Sequence, residues 1–498
     1  MYGGVGMRYL RAGLFCVLAA GCGVPALAVA APARMGGETT FAAAGRLALS
    51  TLLDVYYARD GLWRQCDSST CPQANSDWGV DAMTYSLYLR WEVAHDASIS
   101  PVMSALVSTS PSYATPCSLP SCRSWSDVPE WDAIADVREY EVTGDADALA
   151  KAEAAFGYVE DSDAFALGAC PEIRYQQPSG EINHLKTLET DGNAIKAAVL
   201  LYQATGGASY LRSAIGRYAA VRSHFLDPRV PLYTVYVFDN GTTCTPVPHR
   251  FFASVNGDMI WSGLELFRVT GRRGYLEQAL ETARAMASHL SDGAGVFADL
   301  QAENDIVEPL VEAMYALATE AGASFARSWI LTNAAAAISA RGTDGAFGRF
   351  FDGPPPQTTA TAWQTNGGLA IEIAAAALAP GQVIPAKSRW AFAHRTSRSV
   401  GPIGTISFNG SAIALLGTLG EPCCEAGHAR VLIDGRETFD ETGIWQGKSS
   451  LGRAIPGSVL FAWRWTRAGP HTISFAPGVR NDKEGGSFLH IRAYLVLR

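Results

Sequence analysis

From about Phe41 to Leu378 apolar residues recur at helical spacing, in runs interrupted by a turn with a repeated spelling. The turn reads aromatic, polar, small apolar, Thr-Gly, followed by Leu five residues after the Gly and Ala eight after it. Its three copies are Tyr140 to Ala152, Tyr202 to Ala214 and Phe267 to Ala279, with Gly144, Gly206 and Gly271 at the turns. Recurrence on this scale marks a repeated supersecondary unit. Each copy lies between two apolar-periodic runs, as in Ala194 to Tyr202 and then Tyr210 to Val221. A Gly in that position ends one helix and lets the next begin within a few residues. The unit is a helical hairpin.

Used as a ruler, the repeat predicts helices over 129–142 with 146–158, 192–204 with 208–224, and 257–269 with 273–290. Weaker copies give 80–94 with 98–108 and 306–319 with 323–340, the latter turning at Glu320-Ala321-Gly322. Helices over 41–57 and 363–378 are left at the two ends, free to pair with each other. Small residues recur nine places before each Gly (Ala135, Ala197, Ser262), as suits inner helices crowded around an axis. Twelve helices in six hairpins predict an (α/α)6 barrel over residues 38–380. An open solenoid competes, but it does not explain chain ends that stop on single helices. After a linker at about Ala379 to Lys387 the period changes to two. Short segments at Gly404–Phe408, Ala412–Leu416, Ala429–Ile433, Ser458–Trp465, Thr472–Phe475 and Phe488–Leu497 alternate apolar and polar, with turns at Asn409-Gly410 and Asp434-Gly435. That texture predicts an all-β sandwich over 388–498.

Composition narrows the class. A chain of 498 residues exceeds one ordinary core, and 48% hydrophobic with 17% charged residues is globular. A net charge of −9 and the lack of a basic run argue against a nucleic-acid partner. Residues 1–30 read as a signal peptide: Arg8 and Arg11, an apolar stretch to Ala30, and Ala28 and Ala30 as the cleavage pair. A rival reading makes Ala19-Ala20-Gly21-Cys22 a lipoprotein box, with a lipid anchor on Cys22. Either predicts a secreted, periplasmic or cell-surface protein, and no later run is apolar and long enough for a transmembrane span. In such a compartment Cys66, Cys71, Cys117, Cys122, Cys170, Cys244, Cys423 and Cys424 read as disulfide candidates. Cys66/Cys71 and Cys117/Cys122 are local pairs, Cys170 and Cys244 are placed to join longer loops, and Cys423-Cys424 stay open between a vicinal bridge and other partners. No metal site and no cofactor are implied.

The ruler also gathers polar groups at the starts of the inner helices. These are Asp127, Glu130 and Asp132; Glu189, Asp191 and Asn193; Asn256 and Asp258; and, in weaker copies, Asp77 with Asp81, Asp305 with Glu308, and Gln364 with Asn366. Inner helices of a hairpin ring run parallel, so these groups meet at one end as an acidic bowl. Any one of them also suits a helix cap. Trp78, Trp131 and Trp363 lie beside them, although Trp131 fits a core position equally well. Carboxylates with aromatic platforms are the equipment of sugar chemistry: one carboxyl protonates the leaving oxygen, another attacks or activates water, and flat rings receive the apolar faces of the sugar.

The stretch Ser126-Asp127-Val128-Pro129-Glu130-Trp131 through Ala135, Tyr140 and Thr143-Gly144-Asp145 resembles the central helix of glycoside hydrolase family 76, the endo-α-1,6-mannanases. Ser254-Val255-Asn256-Gly257, Val269-Thr270-Gly271 and the last helix from Thr359 to Leu378 resemble it also. The resemblance implies a retaining hydrolase with two adjacent aspartates, nucleophile and acid/base. Here only Asp127 is present, followed by Val128. Glu130, one turn along the helix, and Asp191 on the next inner helix are the candidates to complete the pair. The expectation is catalysis by Asp127 with Glu130 or Asp191, and substrate binding by Trp78, Asp81, Glu189, Asn256, Asp258 and Trp363. The C-terminal segments, from Thr405-Ile406-Ser407 to Ala493-Tyr494-Leu495, resemble a β-sandwich module attached to secreted bacterial hydrolases, with Trp445, Trp463 and Trp465 as ligand platforms or core.

Three functional readings follow. The first is a secreted glycoside hydrolase acting on an α-linked polysaccharide such as α-mannan. The second is a glycan-binding protein whose broken Asp-Asp pair has removed turnover. The third is a polysaccharide lyase using His184 and Lys186, disfavoured because an acidic bowl repels polyuronates.

Overall fold

The computed structural model describes residues 38–59, 61–64, 73–74, 77–119, 121–122, 125–178, 184–247, 251–291, 294–297, 306–342, 345–348, 351, 353, 362–385, 390–400, 404–419, 429–437, 455–477 and 489–497. Twelve α-helices lie among them: α1 Phe41–Thr51, α2 Asp77–Ala94, α3 Ser100–Ser108, α4 Asp127–Thr143, α5 Ala146–Glu160, α6 Leu188–Thr205, α7 Ala208–Phe225, α8 Ala253–Thr270, α9 Arg273–His289, α10 Glu308–Thr319, α11 Ser324–Ala340 and α12 Ala362–Leu378. All stand where the hairpin ruler puts them. A π turn, Leu52–Tyr56, extends α1 to nearly its expected end.

The repeated Thr-Gly does two jobs in every copy. Gly144, Gly206 and Gly271 have φ of 77°, 71° and 70°, a conformation only glycine adopts cheaply, and their N–H groups return to Tyr140, Tyr202 and Phe267. Each preceding threonine donates back one turn, Thr143 to Glu139 O at 2.9 Å, Thr205 to Leu201 O at 2.6 Å and Thr270 to Leu266 O at 2.5 Å. The same hydroxyls accept from the N–H of Asp145, Gly207 and Arg272, which starts the next helix. The conserved Ala of the repeat, Ala152, Ala214 or Ala279, is then buried against the first helix.

Helices α2, α4, α6, α8, α10 and α12 touch in that order, and α12 returns to α2. The others pack outside: α3 on α4 and α2, α5 on α4 and α6, α7 on α6, α9 on α8, α11 on α10 and α12, and α1 on α12. Small residues permit the approach; a Cβ on Gly257 of α8 would stand 2.3 Å from the Leu310 nitrogen of α10. One continuous apolar core runs through both layers.

Fourteen strands complete the described residues. Short ones are β1 Glu38–Thr40, β2 Tyr57–Arg59, β3 Leu62–Arg64, β4 Gln73–Ala74, β5 Leu185–Thr187, β6 Tyr236–Asp239, β7 Cys244–Pro246 and β8 Val383–Pro385. Strands β1 and β8 pair antiparallel, tying the start of the helical region to its end, where α1 also meets α12. The C-terminal strands are β9 Trp390–Val400, β10 Gly404–Leu419, β11 Ala429–Ile433, β12 Arg436–Glu437, β13 Ile455–Pro477 and β14 Leu489–Leu497, in one antiparallel sheet of order β12-β11-β13-β10-β14-β9.

Two sequence expectations change in this sheet. Asn409-Gly410 is no turn: β10 runs through it with a register shift, and Gly410 is required because a Cβ there would lie 2.4 Å from Val496 of β14. Likewise 458–465 and 472–475 are halves of one bent strand, β13. Asp434-Gly435 is a turn as expected, with φ of 50° and 75° between β11 and β12. Ile413, Leu415, Phe461, Ile491 and Val496 share an apolar cluster with Val431, Ile433 and Ile473, and Trp463 and Trp465 pack on it.

Candidate active site

Each inner helix from α2 to α10 is followed by an outer one that returns the chain, and α12 follows the outer α11, so all six begin at the same end of the ring. At that mouth α4 is anchored through Ser126, whose N–H donates to Gln176 O at 3.0 Å. Its hydroxyl donates to Tyr175 O at 2.8 Å and meets the Thr190 hydroxyl of α6 at 2.6 Å. Pro129 fits the first turn, where a missing N–H costs nothing. Asp127, first residue of α4, is partly exposed. It stands about three turns above Arg138 on the same helical face, and Arg138 reaches across the ring to Glu312 of α10. Asp127 therefore faces the interior at its open end.

Glu130 and Asp191 meet, but not in the bowl. Their neighbours are Glu160 at the end of outer helix α5, Arg217 of outer helix α7, and Arg174 of the loop between α5 and α6. Asp191 is held by the Arg217 guanidinium and by the Arg174 N–H at 3.1 Å. Glu130 is wholly buried, and burial, then the nearby Glu160, push its carboxyl well above the usual range. Both acids sit between the two helix layers. A three-residue spacing puts Glu130 near Asp127 along α4, yet the offset turns it toward α6 and the outer ring.

Below the mouth the interior is closed by a buried polar floor. Lys196 of α6 donates to Asp258 of α8 at 2.7 Å and to Glu312 at 2.5 Å, and Tyr85 of α2 donates to Asp258 at 3.3 Å. Lys196 and the Arg138 guanidinium lie over the Tyr85 ring at 4.4 and 4.2 Å. Burial alone would raise Glu312; Arg138 and Lys196 outweigh it and hold the carboxyl below its ordinary value. Two cations and two carboxylates balance, which is what makes charges tolerable at such depth. Asp258, expected to bind substrate, is part of this floor.

The remaining expected residues divide in the same way. Asn256 uses its whole amide on the chain, accepting from Tyr233 N–H and donating to Tyr233 O and Phe252 O, each at 2.9 Å. Glu189 is partly exposed at the head of α6, with its carboxylate accepting from Thr187 at 3.3 Å. Asp81 is buried in the second turn of α2. Trp78 and Trp363 lie in the first turns of α2 and α12, and their side chains fall outside the described residues. Trp131 is core, edge-on to Tyr85. Glu308, on α10 one turn above Glu312, accepts from Asn366 of α12 at 2.6 Å, and burial pushes its carboxyl up to about 7.

Behind the mouth β5, β6 and β7 form a small antiparallel sheet. Lys186 of β5 is spent inside it, donating to the carbonyls of Leu167, Cys170 and Ile173 at 2.7 to 2.9 Å, so it is not available as a lyase base. Disulfides join Cys117 to Cys122, the local pair, and Cys170 to Cys244 across two longer loops. Cys66, Cys71, Cys423 and Cys424 lie outside the described residues. Cys170, Cys244 and Asp239 are close enough to suggest a metal cluster, but the two thiols are consumed in the disulfide. No helix among the described residues is long and apolar enough to cross a membrane. Sequence reasoning passed over Trp125, two residues before Asp127, which is 48% exposed where most tryptophans are covered.

The helical region is a ring of hairpins with polar groups gathered at the starts of its inner helices. The chain has a glycoside hydrolase family 76-like fold, as solved structures of that family show. An inactive variant of the α-1,6-mannanase GH76A of Salegentibacter sp. HEL1_6, with two aspartates replaced and α-1,6-mannotetrose bound, superposes with a TM-score of 0.58 at 19% identity, over 68% of this chain and 99% of that one. A GH76 α-mannanase of Bacteroides thetaiotaomicron gives 0.55 at 14% identity, over 68% and 96%. Dfg5 of Chaetomium thermophilum, in complex with glucosamine, gives 0.53 at 13% identity, over 70% and 92%. No protein-family model matches the sequence, and no curated protein matches it.

Proposed function

We propose that the protein is a secreted glycoside hydrolase acting on an α-linked mannan, with Asp127 as the carboxylate that meets the reacting sugar. The observation that carries this reading is the place of Asp127: inward-facing and partly exposed at the mouth of a helix ring, in a fold shared with α-1,6-mannanases. The cyclic order of helix contacts supports an (α/α)6 barrel over 38–380. In 388–498, one apolar cluster joins both halves of the bent strands β10 and β13, which supports a sheet folded on itself as a sandwich. The leader over 1–30, or a lipid on Cys22, would export the chain, and disulfides suit that destination.

In this reading Glu130 and Asp191 hold the head of α4 against α6 and the outer helices, and Glu308 in the first turn of α10 is the candidate acid, its carboxyl pushed up to about 7. Incubating the mature protein with α-1,6-mannan and assaying new reducing ends tests the proposal. Asp127→Asn is expected to lower the rate ~10²-fold or more. Unchanged hydrolysis in that variant would remove Asp127 from the chemistry.

One observation favours a second reading, glycan binding without turnover. Of the two adjacent aspartates the resemblance expects, only Asp127 is present, between Ser126 and Val128, and the two nearest replacements face away from the bowl. Mannan retention by a wild type that releases no reducing ends would decide for it.

A further inference from the structure

The sheet behind the mouth forms a continuous wall with Asp127 at one end. Ser126 N–H donates to Gln176 O at 3.0 Å, Gln176 N–H to Leu185 O at 2.9 Å, and Leu185 of β5 pairs with Phe238 of β6. Three strand steps of about 4.8 Å carry the wall roughly 14 Å from the head of α4 to Phe238. It is held rigid by the Cys170–Cys244 disulfide, by the three carbonyls that grip Lys186, and by Asp239, which accepts from Ala169 N–H at 2.9 Å.

Both ends of this wall carry uncovered aromatic surface. Trp125 is 48% exposed, and Phe238 is 42% exposed with His184 edge-on to it at 6.2 Å. His184 has a φ of 55°, in the left-handed region. Apolar rings kept in solvent on a cross-braced support contribute nothing to the core. Neither lies on the helices that supplied the expected sugar-binding residues.

We propose that this wall is an extended glycan track: Trp125 receives the sugar ring beside Asp127, and the Phe238–His184 pair receives a ring several units further along the same chain. The occupant is a neutral polysaccharide chain, because flat aromatic faces match the apolar faces of pyranose rings and the wall is hydrogen-bonded to the head of α4 that carries Asp127. The inference rests on the glycan reading of the mouth. It adds the residues that hold the units beyond the reacting sugar.

The test measures binding of α-1,6-linked mannooligosaccharides of increasing length, by calorimetry, with the reducing-end assay in parallel. Affinity is expected to rise with length until the chain reaches Phe238. Phe238→Ala is expected to lower affinity for the long chains about fivefold to tenfold, and by less for the short ones, so that the gain with length collapses. Phe238→Tyr, which keeps the platform, is expected to restore that gain. Trp125→Ala is expected to weaken chains of every length. Long-chain affinity in Phe238→Ala equal to the wild type, with wild-type binding intact, would overturn the track and leave the mouth reading standing. A wild type that binds no glycan of a broad panel would overturn both.

Discussion

At the scale of single residues, burial and pairing decide what each acid can do. Glu308 illustrates the consequence of burial without a cation: hydrogen bonds from Asn366 and the backbone do not offset it, and its carboxyl is raised to about 7 in the fold. A carboxyl raised on folding costs no stability below its unfolded value and progressively more as pH climbs to the folded one. The window is therefore about pH 4.5 to 7, and the full cost above it is about 3 kcal/mol. Glu308→Gln carries no such charge. Denaturant midpoints should show the wild type losing ground to Glu308→Gln between pH 5 and pH 8, and parallel pH profiles would contradict the buried-acid assignment. Glu312, of the same type and one turn below, behaves in the opposite sense because Arg138 and Lys196 flank it.

Secondary-structure elements depend on two different uses of glycine. Gly206 has open space where a Cβ would go, so only its φ of 71° resists substitution. Gly206→Ala is expected to cost about 1 kcal/mol, the usual penalty of a left-handed residue. Gly257 has ordinary helical geometry, but a Cβ would lie 2.3 Å from Leu310 N and 2.5 Å from Pro309 C, backbone atoms that cannot swing aside. Gly257→Ala should therefore be the more damaging of the two, by about 2 kcal/mol, despite the better helix propensity of alanine. Thermal melts of both variants check the order. The Thr-Gly hairpins were legible in the sequence because every force that shapes them acts within a few residues. Gly410 was not, since the reason for it is the approach of Val496 from the far end of the sheet.

For the whole molecule, the floor inside the helix ring joins residues from five of the inner helices, Tyr85, Arg138, Lys196, Asp258 and Glu312. Removing one charge leaves the others buried without balance. Glu312→Gln is expected to cost about 3 to 5 kcal/mol, since Arg138 and Lys196 would then share the Asp258 carboxylate. Urea unfolding would show this, and a loss below 1 kcal/mol would mean the floor is not the fully buried network described.

The sequence alone determined the period of each element, the hairpin repeat, the order of helices followed by strands, and the presence of Asp127 at the start of an inner helix. Those are local facts, set by side-chain spacing, turn chemistry and capping. Only the tertiary structure decided which carboxylates share a space. Helical period fixes the angle between Asp127 and Glu130 on α4, but not what lies in either direction. Arg217, Glu160 and Arg174 claim Glu130 and Asp191, Lys196 claims Asp258, and Tyr233 claims Asn256. A carboxyl's protonation and reach depend on dielectric and counter-charge, and these are supplied by residues far away in the chain that only packing brings near.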